Sequence, residues 1–185
     1  MAKTPSNMLP LGTSAPQFSL VDAITGKQVA LTKNHDDMPT VIMFICNHCP
    51  YVKHVSHELS KLAKDYMPKK IRFYAINSND VNSYPDDSPE NMKKFAITED
   101  FQFPYLFDET QDVAKAYHAA CTPDFYVFDK DLNLAYRGQL DDSRPGNLLP
   151  VTGKDVRSAL DNLLASKPID SKQQPSLGCN IKWKK

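Results

Sequence analysis

Two cysteines stand three positions apart in FICNHCPYV (44–52), with Asn47 and His48 between them. Such a pair can be a structural disulfide, half of a metal knuckle, a dithiol–disulfide couple or the site of a peroxide-cleaving thiol. The surroundings decide. TVIMFI (40–45) is a short, β-rich apolar run after Pro39, as expected of a strand buried on both faces. Downstream, Val52, Val55, Leu59, Leu62 and Tyr66 step by three and four, which predicts an amphipathic helix over about 50–67. The pair therefore lies between the carboxyl end of a strand and a helix N-terminus, where free amides and the helix dipole stabilise a thiolate. From this placement Cys46 is expected to be the nucleophile with the depressed pKa, and Cys49 the ordinary thiol that resolves a mixed disulfide formed on it. A protonated His48 adds positive charge beside the thiolate and makes the disulfide more oxidising.

Other residues offer rival chemistry. Cys46, Cys49, His54 and His57 have the order C-x2-C…H-x2-H. Zinc needs four convergent ligands, and histidines further along the helix must reach back a turn or more to meet the cysteines. They read instead as surface residues, and no metal is expected. The remaining cysteines are Cys121 and Cys179. Cys121 has the character of a small core residue, yet it stands two before Pro123. Pro123 leads directly into an apolar strand, and Thr122-Pro123 is a candidate cis peptide. Cys179 follows Gly178 in the tail SKQQPSLGCNIKWKK, whose Ile181 and Trp183 have apolar surface to bury. If the tail docks, those two are its expected anchors. Cys179 then lies near Cys121 or the Cys-x-x-Cys pair, or on the far side of the sheet. Cys121 and Cys179 are candidate accessory thiols.

At 185 residues the chain is long enough for one domain with a real core. Hydrophobic residues make up 41%, charged residues 24%, and the formal net charge is zero, so nothing points to a nucleic acid or an acidic membrane as partner. No apolar run approaches the ~20 residues that span a bilayer. The opening MAKTPSNMLPLG has no continuous apolar segment of the secretory kind, and a cytoplasmic location is expected. In a reducing compartment, paired cysteines are more often catalytic or metal-binding than structural. Residues 1–16, with three prolines, read as an extended lead-in, 17–166 as the domain, and 167–185 as a tail packed on it.

The elements around the pair follow from periodicity. Phe18, Leu20, Val29 and Leu31 alternate about Thr25-Gly26 as a hairpin. IRFYAI (71–76) is a second buried strand, completing a β-α-β unit with a parallel pair. NSNDVNSYPDDS (77–88) is a polar loop. Ser88-Pro89 starts a helix carrying Met92, Phe95 and Ala96, and Asp108 caps a short helix to Tyr117. FYVFD (125–129) and LAYRG (134–138) form an antiparallel hairpin, and Thr152 with Asp155 resembles a capping box for a closing helix. The sum is an α/β fold: a mixed central sheet, helices on both faces and an N-terminal hairpin.

On these residues the chain resembles the thioredoxin superfamily. LGTSAPQFSL (11–20) is similar to the opening of its redoxin, AhpC/TSA and peroxiredoxin-like branch. FICNHCPYVKH, ACTPDFYVFD and the terminal SLGCNIKW look most like the peroxiredoxin-like thioredoxin-family proteins of bacteria. The resemblance covers roughly 11–165. It implies a thioredoxin-like fold and thiol–disulfide oxidoreductase activity on protein or small-molecule disulfides. Cys46 attacks, Cys49 resolves, Thr122-Pro123 docks the substrate chain, and an external dithiol is the only reductant needed, with no cofactor. The alternatives are a peroxiredoxin-like thiol peroxidase and, outside enzymes, a metal- or partner-binding module. The chain departs from the peroxidase pattern Pro-x-x-x-Thr/Ser-x-x-Cys: with Cys49 aligned, Cys46 holds the hydroxyl position and Ile42 the proline position. Arg137 is the candidate positive charge for a peroxide. TVIMFI also lacks the buried acid that thioredoxins keep near their active-site strand, so a proton leaving Cys49 needs another group or water.

Overall fold

A central strand flanked on both sides and covered on both faces positions the cysteine pair. The computed structural model describes residues 3–33 and 37–185; residues 1–2 of the expected lead-in lie outside the described residues. The elements in chain order are β1 (Lys3–Pro5), β2 (Phe18–Asp22), β3 (Gln28–Leu31), β4 (Thr40–Phe44), α1 (Pro50–Tyr66), β5 (Arg72–Asn77), α2 (Pro89–Thr98), β6 (Tyr105–Phe107), α3 (Asp112–Ala116), β7 (Cys121–Thr122), β8 (Asp124–Phe128), β9 (Leu134–Gly138), α4 (Lys154–Leu164) and β10 (Leu177–Asn180).

The main sheet has the order β3-β2-β6-β5-β4-β8-β9. β4 and β5 run parallel, with α1 as the crossover between them, and β8 returns antiparallel along the other side of β4. Every residue of β4 is buried. Its alternation divides the core: Val41 and Met43 pack with Leu59 and Leu62 of α1, Met92 of α2 and Leu160 of α4. Ile42 and Phe44 pack with Phe18, Tyr126, Tyr117 and Ala114 of α3 on the opposite face. This is the mixed sheet with helices on both faces that the sequence implied, hairpin β2-β3 included.

Local details differ where partners come from far along the chain. A small second sheet, β1-β10-β7, has no counterpart in the sequence patterns. Helix α4 is not opened by a Thr152–Asp155 box. Its N-cap is Gly153 at φ 65°, and the Asp141 carboxylate takes the amides of Thr152 and Gly153 at 2.6 and 2.7 Å. Ser88 does cap α2, accepting the Asn91 amide at 3.4 Å. The expected tail anchors separate: Ile181 is buried, whereas Trp183 is 42% exposed. Lys182 holds the tail in its place through its backbone. Its amide donates to Asn79 Oδ1, and its carbonyl accepts from the Asp80 amide and Gln111 Nε2, each at 2.8 Å.

Candidate functional site

β4 ends two residues before Cys46, and α1 begins directly after Cys49, which is its N-cap residue. Pro50 takes the first helical position, where its missing N–H costs nothing. The Thr122–Pro123 peptide between β7 and β8 is cis, as the sequence suggested, and it lies against both sulfurs. Cys46 Sγ is 3.3 Å from Thr122 Oγ1, and Cys49 Sγ is 3.3 Å from the Thr122 carbonyl oxygen. A third sulfur joins them: Cys179 Sγ lies 2.8 Å from Cys49 Sγ. All four cysteines are free, and Cys46, Cys49 and Cys179 are each no more than 3% exposed.

These sulfurs share protons unequally. Cys46 is held well above its ordinary value by its hydrogen bond with Cys49 first, with burial and the Asp87 carboxylate adding to the effect. The same hydrogen bond, working against burial, brings Cys49 down to about 5, with help from Cys179 and the Val52 amide. That amide belongs to the first turn of α1, so the helix terminus does favour a thiolate, but at Cys49. The division expected from the sequence, with Cys46 depressed and Cys49 ordinary, is the opposite one; Cys49 is the N-cap residue of α1 and so the nearer of the two to the helix terminus. Cys179 is pushed up to about 12, by burial first and then by its hydrogen bond to Cys49. Cys121 is raised mainly by burial, with its sulfur 3.8 Å from the Pro123 carbonyl.

His48 has a partner that sequence reasoning missed. Its Nδ1 lies 2.6 Å from Oδ2 of Asp87, which is fully buried at the end of a 3-10 turn, Pro85–Asp87. Asp87 also accepts the Asn47 amide and Asn79 Nδ2, each at 2.7 Å. The hydrogen bond to Asp87 raises His48, with burial opposing. Burial pushes Asp87 up, but His48, Asn79 and the Asn47 amide together hold it below the usual carboxylate range. His48 also stacks on Tyr84, with centroids 5.4 Å apart. Nothing in NSNDVNSYPDDS separates Asp87 from Asp80 or Asp86. Only the turn started by Pro85 sends it inward.

Cys46, His48 and Asp87 bring their ligand atoms within 4.8 Å of one another, the grouping among the described residues nearest to a metal set. Asp87 spends both oxygens on hydrogen bonds. The C-x2-C…H-x2-H set does not converge: His54 Nε2 lies 2.7 Å from Ser143 Oγ, and His57 is exposed. Arg137 donates to the Leu9 carbonyl at 2.6 Å and to Gln173 Oε1 at 2.8 Å, tying the lead-in to the tail. The main-chain edge at Thr122, expected to receive a substrate chain, is occupied by β10, with Cys179 opposite Thr122 and Asn180 opposite Cys121.

A strand–Cys-x-x-Cys–helix unit packed against a cis-proline in this mixed sheet defines a redoxin-type protein of the thioredoxin superfamily. Residues 11–137 match the AhpC/TSA family model, and the chain belongs to that family. No curated protein matches. Among solved structures, the chain is similar to an uncharacterized conserved protein from Geobacillus kaustophilus, with 63% identity over 100% of this chain and 97% of that one and a TM-score of 0.97. A hypothetical protein from Sinorhizobium meliloti is 44% identical, covering 98% of each chain, with a TM-score of 0.95. A peroxidoxin from Mycobacterium tuberculosis shares the fold at 20% identity, over 85% of this chain and 98% of that one, with a TM-score of 0.63. Family and fold together support oxidoreductase chemistry of the thiol–disulfide or peroxiredoxin-like kind.

Proposed function

We propose that this protein is a thiol–disulfide oxidoreductase whose working couple is Cys46 and Cys49. The observation that carries the reading is two buried sulfurs at a helix N-terminus, each 3.3 Å from an oxygen of Thr122 beside a cis-proline. The place of Cys49 at the start of α1 and its lowered pKa favour Cys49 as the attacking sulfur, with Cys46 as its resolving partner. Cys49 attacks one sulfur of a substrate disulfide, the substrate S–S bond breaks, and one thiolate leaves. Cys46 then gives up its proton and attacks Cys49, the second substrate thiol departs with a proton, and a Cys46–Cys49 disulfide remains. An external dithiol restores the reduced protein, and no metal or other cofactor takes part. His48, whose pKa is raised by its hydrogen bond to Asp87, favours the reduced form of the couple when it is protonated. Substrates are protein or small-molecule disulfides, and the cytoplasm is the proposed location. No helix among the described residues is long and apolar enough to cross a membrane.

Insulin reduction with dithiothreitol, run beside hydrogen peroxide consumption, tests this. Insulin should be reduced by the wild type and not by Cys49→Ser, with peroxide consumed only at the background rate. Rapid peroxide consumption with insulin untouched supports the second reading, a peroxiredoxin-like peroxidase. The family match favours that reading. Cys46 in the hydroxyl position and Arg137 engaged elsewhere weigh against it. Stoichiometric zinc in the reduced protein supports the metal-binding alternative.

A further inference from the structure

The tail strand makes contacts that packing alone does not require. β10 lies between β1 and β7, paired antiparallel to both. Its Gly178 passes so close to Thr122 that a Cβ there would overlap the Thr122 carbonyl. Ile181 is buried, and its amide donates to the Ala120 carbonyl at 3.1 Å. These constraints fix Cys179 opposite Thr122. The sulfur arrives 2.8 Å from Cys49 Sγ. A disulfide needs about 2.05 Å, a movement of less than about 1 Å for two side chains already in place. Cys121, by contrast, lies opposite Asn180 with its sulfur directed at the Pro123 carbonyl.

We propose that Cys179 is a second resolving thiol for Cys49, so that the oxidised protein distributes one disulfide between Cys46–Cys49 and Cys49–Cys179. This rests on the reading of Cys49 as a redox sulfur. Two steps lead to the second state. In one, the Cys179 thiol attacks Cys49 in its mixed disulfide with substrate. The Cys49–substrate bond breaks, Cys49–Cys179 forms, and the Cys179 proton leaves with the substrate thiol. In the other, Cys179 attacks Cys49 within the Cys46–Cys49 disulfide, and its proton passes to the released Cys46. In the first step the substrate disulfide is the oxidant; the second is an isomerisation with no net redox change, which moves the disulfide that substrate had already formed between Cys46 and Cys49. Cys179 must lose its proton to attack. The Cys49 charge that opposes this loss is gone once Cys49 is in a disulfide, while Lys182 continues to favour it. Because the chain's own strand fills the Thr122 edge, a polypeptide substrate does not pair with β7 while β10 is in place.

Oxidised glutathione tests the proposal on the full chain. The protein is treated, alkylated, digested without reductant and mapped. Wild type should yield a cross-link between the peptides carrying Cys49 and Cys179 as well as the disulfide internal to the Cys46–Cys49 peptide. Cys46→Ser should yield the cross-link without retained glutathione, and Cys46→Ser/Cys179→Ser should retain one glutathione on Cys49. Wild type carrying only the Cys46–Cys49 disulfide, with Cys179 alkylated in every molecule, overturns the proposal and leaves the oxidoreductase reading standing. Glutathione retained on Cys49 in Cys46→Ser, with Cys179 free, overturns it equally. A Cys49–Cys179 cross-link in a protein that neither forms the Cys46–Cys49 disulfide nor reduces insulin supports it and removes the couple proposed above.

Discussion

The pKa of Cys49 is lowered by hydrogen bonds with its neighbours, and each neighbour can be removed separately. Cys46 is the largest contributor. In Cys46→Ala the Cys49 thiolate should therefore form at clearly higher pH than about 5, read as thiolate absorbance against pH. Cys179→Ala should move it upward by less. A titration unmoved by Cys46→Ala would mean that Cys179 and the helix terminus set it without Cys46. His48 and Asp87 give a second prediction, whose sign follows from linkage. His48 is raised, so its share of stability is full below the unfolded value of about 6.5 and is lost as pH rises through the folded value. Asp87 is lowered, so its share is full above about 3.9 and is lost as pH falls through its folded value. The pair contributes most between those limits. His48→Ala should cost about 1–2 kcal/mol there, given the partial exposure of the imidazole. Urea midpoints across pH should show the gap to wild type closing on the alkaline side, and a gap that does not change with pH would leave the ion pair without a role in stability.

At the scale of elements, β10 is set by a single small residue. A side chain at Gly178 meets the Thr122 carbonyl, and β7 has little freedom to yield because β8 continues it into the central sheet. Gly178→Ala should push β10 outward, cost about 1–3 kcal/mol of stability, and suppress the Cys49–Cys179 cross-link while sparing the Cys46–Cys49 disulfide. Peptide mapping and a urea titration on one sample measure both effects. An unchanged cross-link yield would show that the tail tolerates the displacement. The same strand shows why parts of this fold escaped the sequence. β4, α1 and β5 announce themselves because burial on two faces, or on one helical stripe, imposes a period on the residues. β7 has two residues and β10 four, too few for a period, and β10 exists because Lys3–Pro5 and Cys121–Thr122 flank it from distant parts of the chain. Asp87 and Asp141 were hidden for a related reason. Their partners, His48 and the start of α4, are joined to them by folding, and the residues adjacent in sequence carry no mark of it.

For the molecule as a whole, the buried sheet stabilises the fold while enclosing a group that opposes it. Asp124 opens β8 beside Phe44 of the central strand and is fully buried. Burial raises its pKa well above the ordinary value, with the hydrogen bond from Tyr126 at 3.0 Å working against the rise, and its Oδ1 has no hydrogen-bond partner among the described residues. An acid raised on folding holds its proton in the native state over a range where the unfolded chain, at about 3.9, has already released it. The native state then binds more protons than the unfolded one, so stability falls as pH climbs from about 4 toward the folded value. Asparagine has nearly the same shape and never ionises. Asp124→Asn can cost stability at all pH values through an imperfectly paired amide, so its absolute effect does not decide the question. The decisive quantity is the difference between variant and wild type as a function of pH. Measured from urea midpoints at about pH 5 and about pH 8, the variant should gain on wild type at the higher pH. A difference that stays constant between the two would mean that Asp124 titrates alike in the folded and unfolded chains, and that this end of β8 is better solvated than its burial implies.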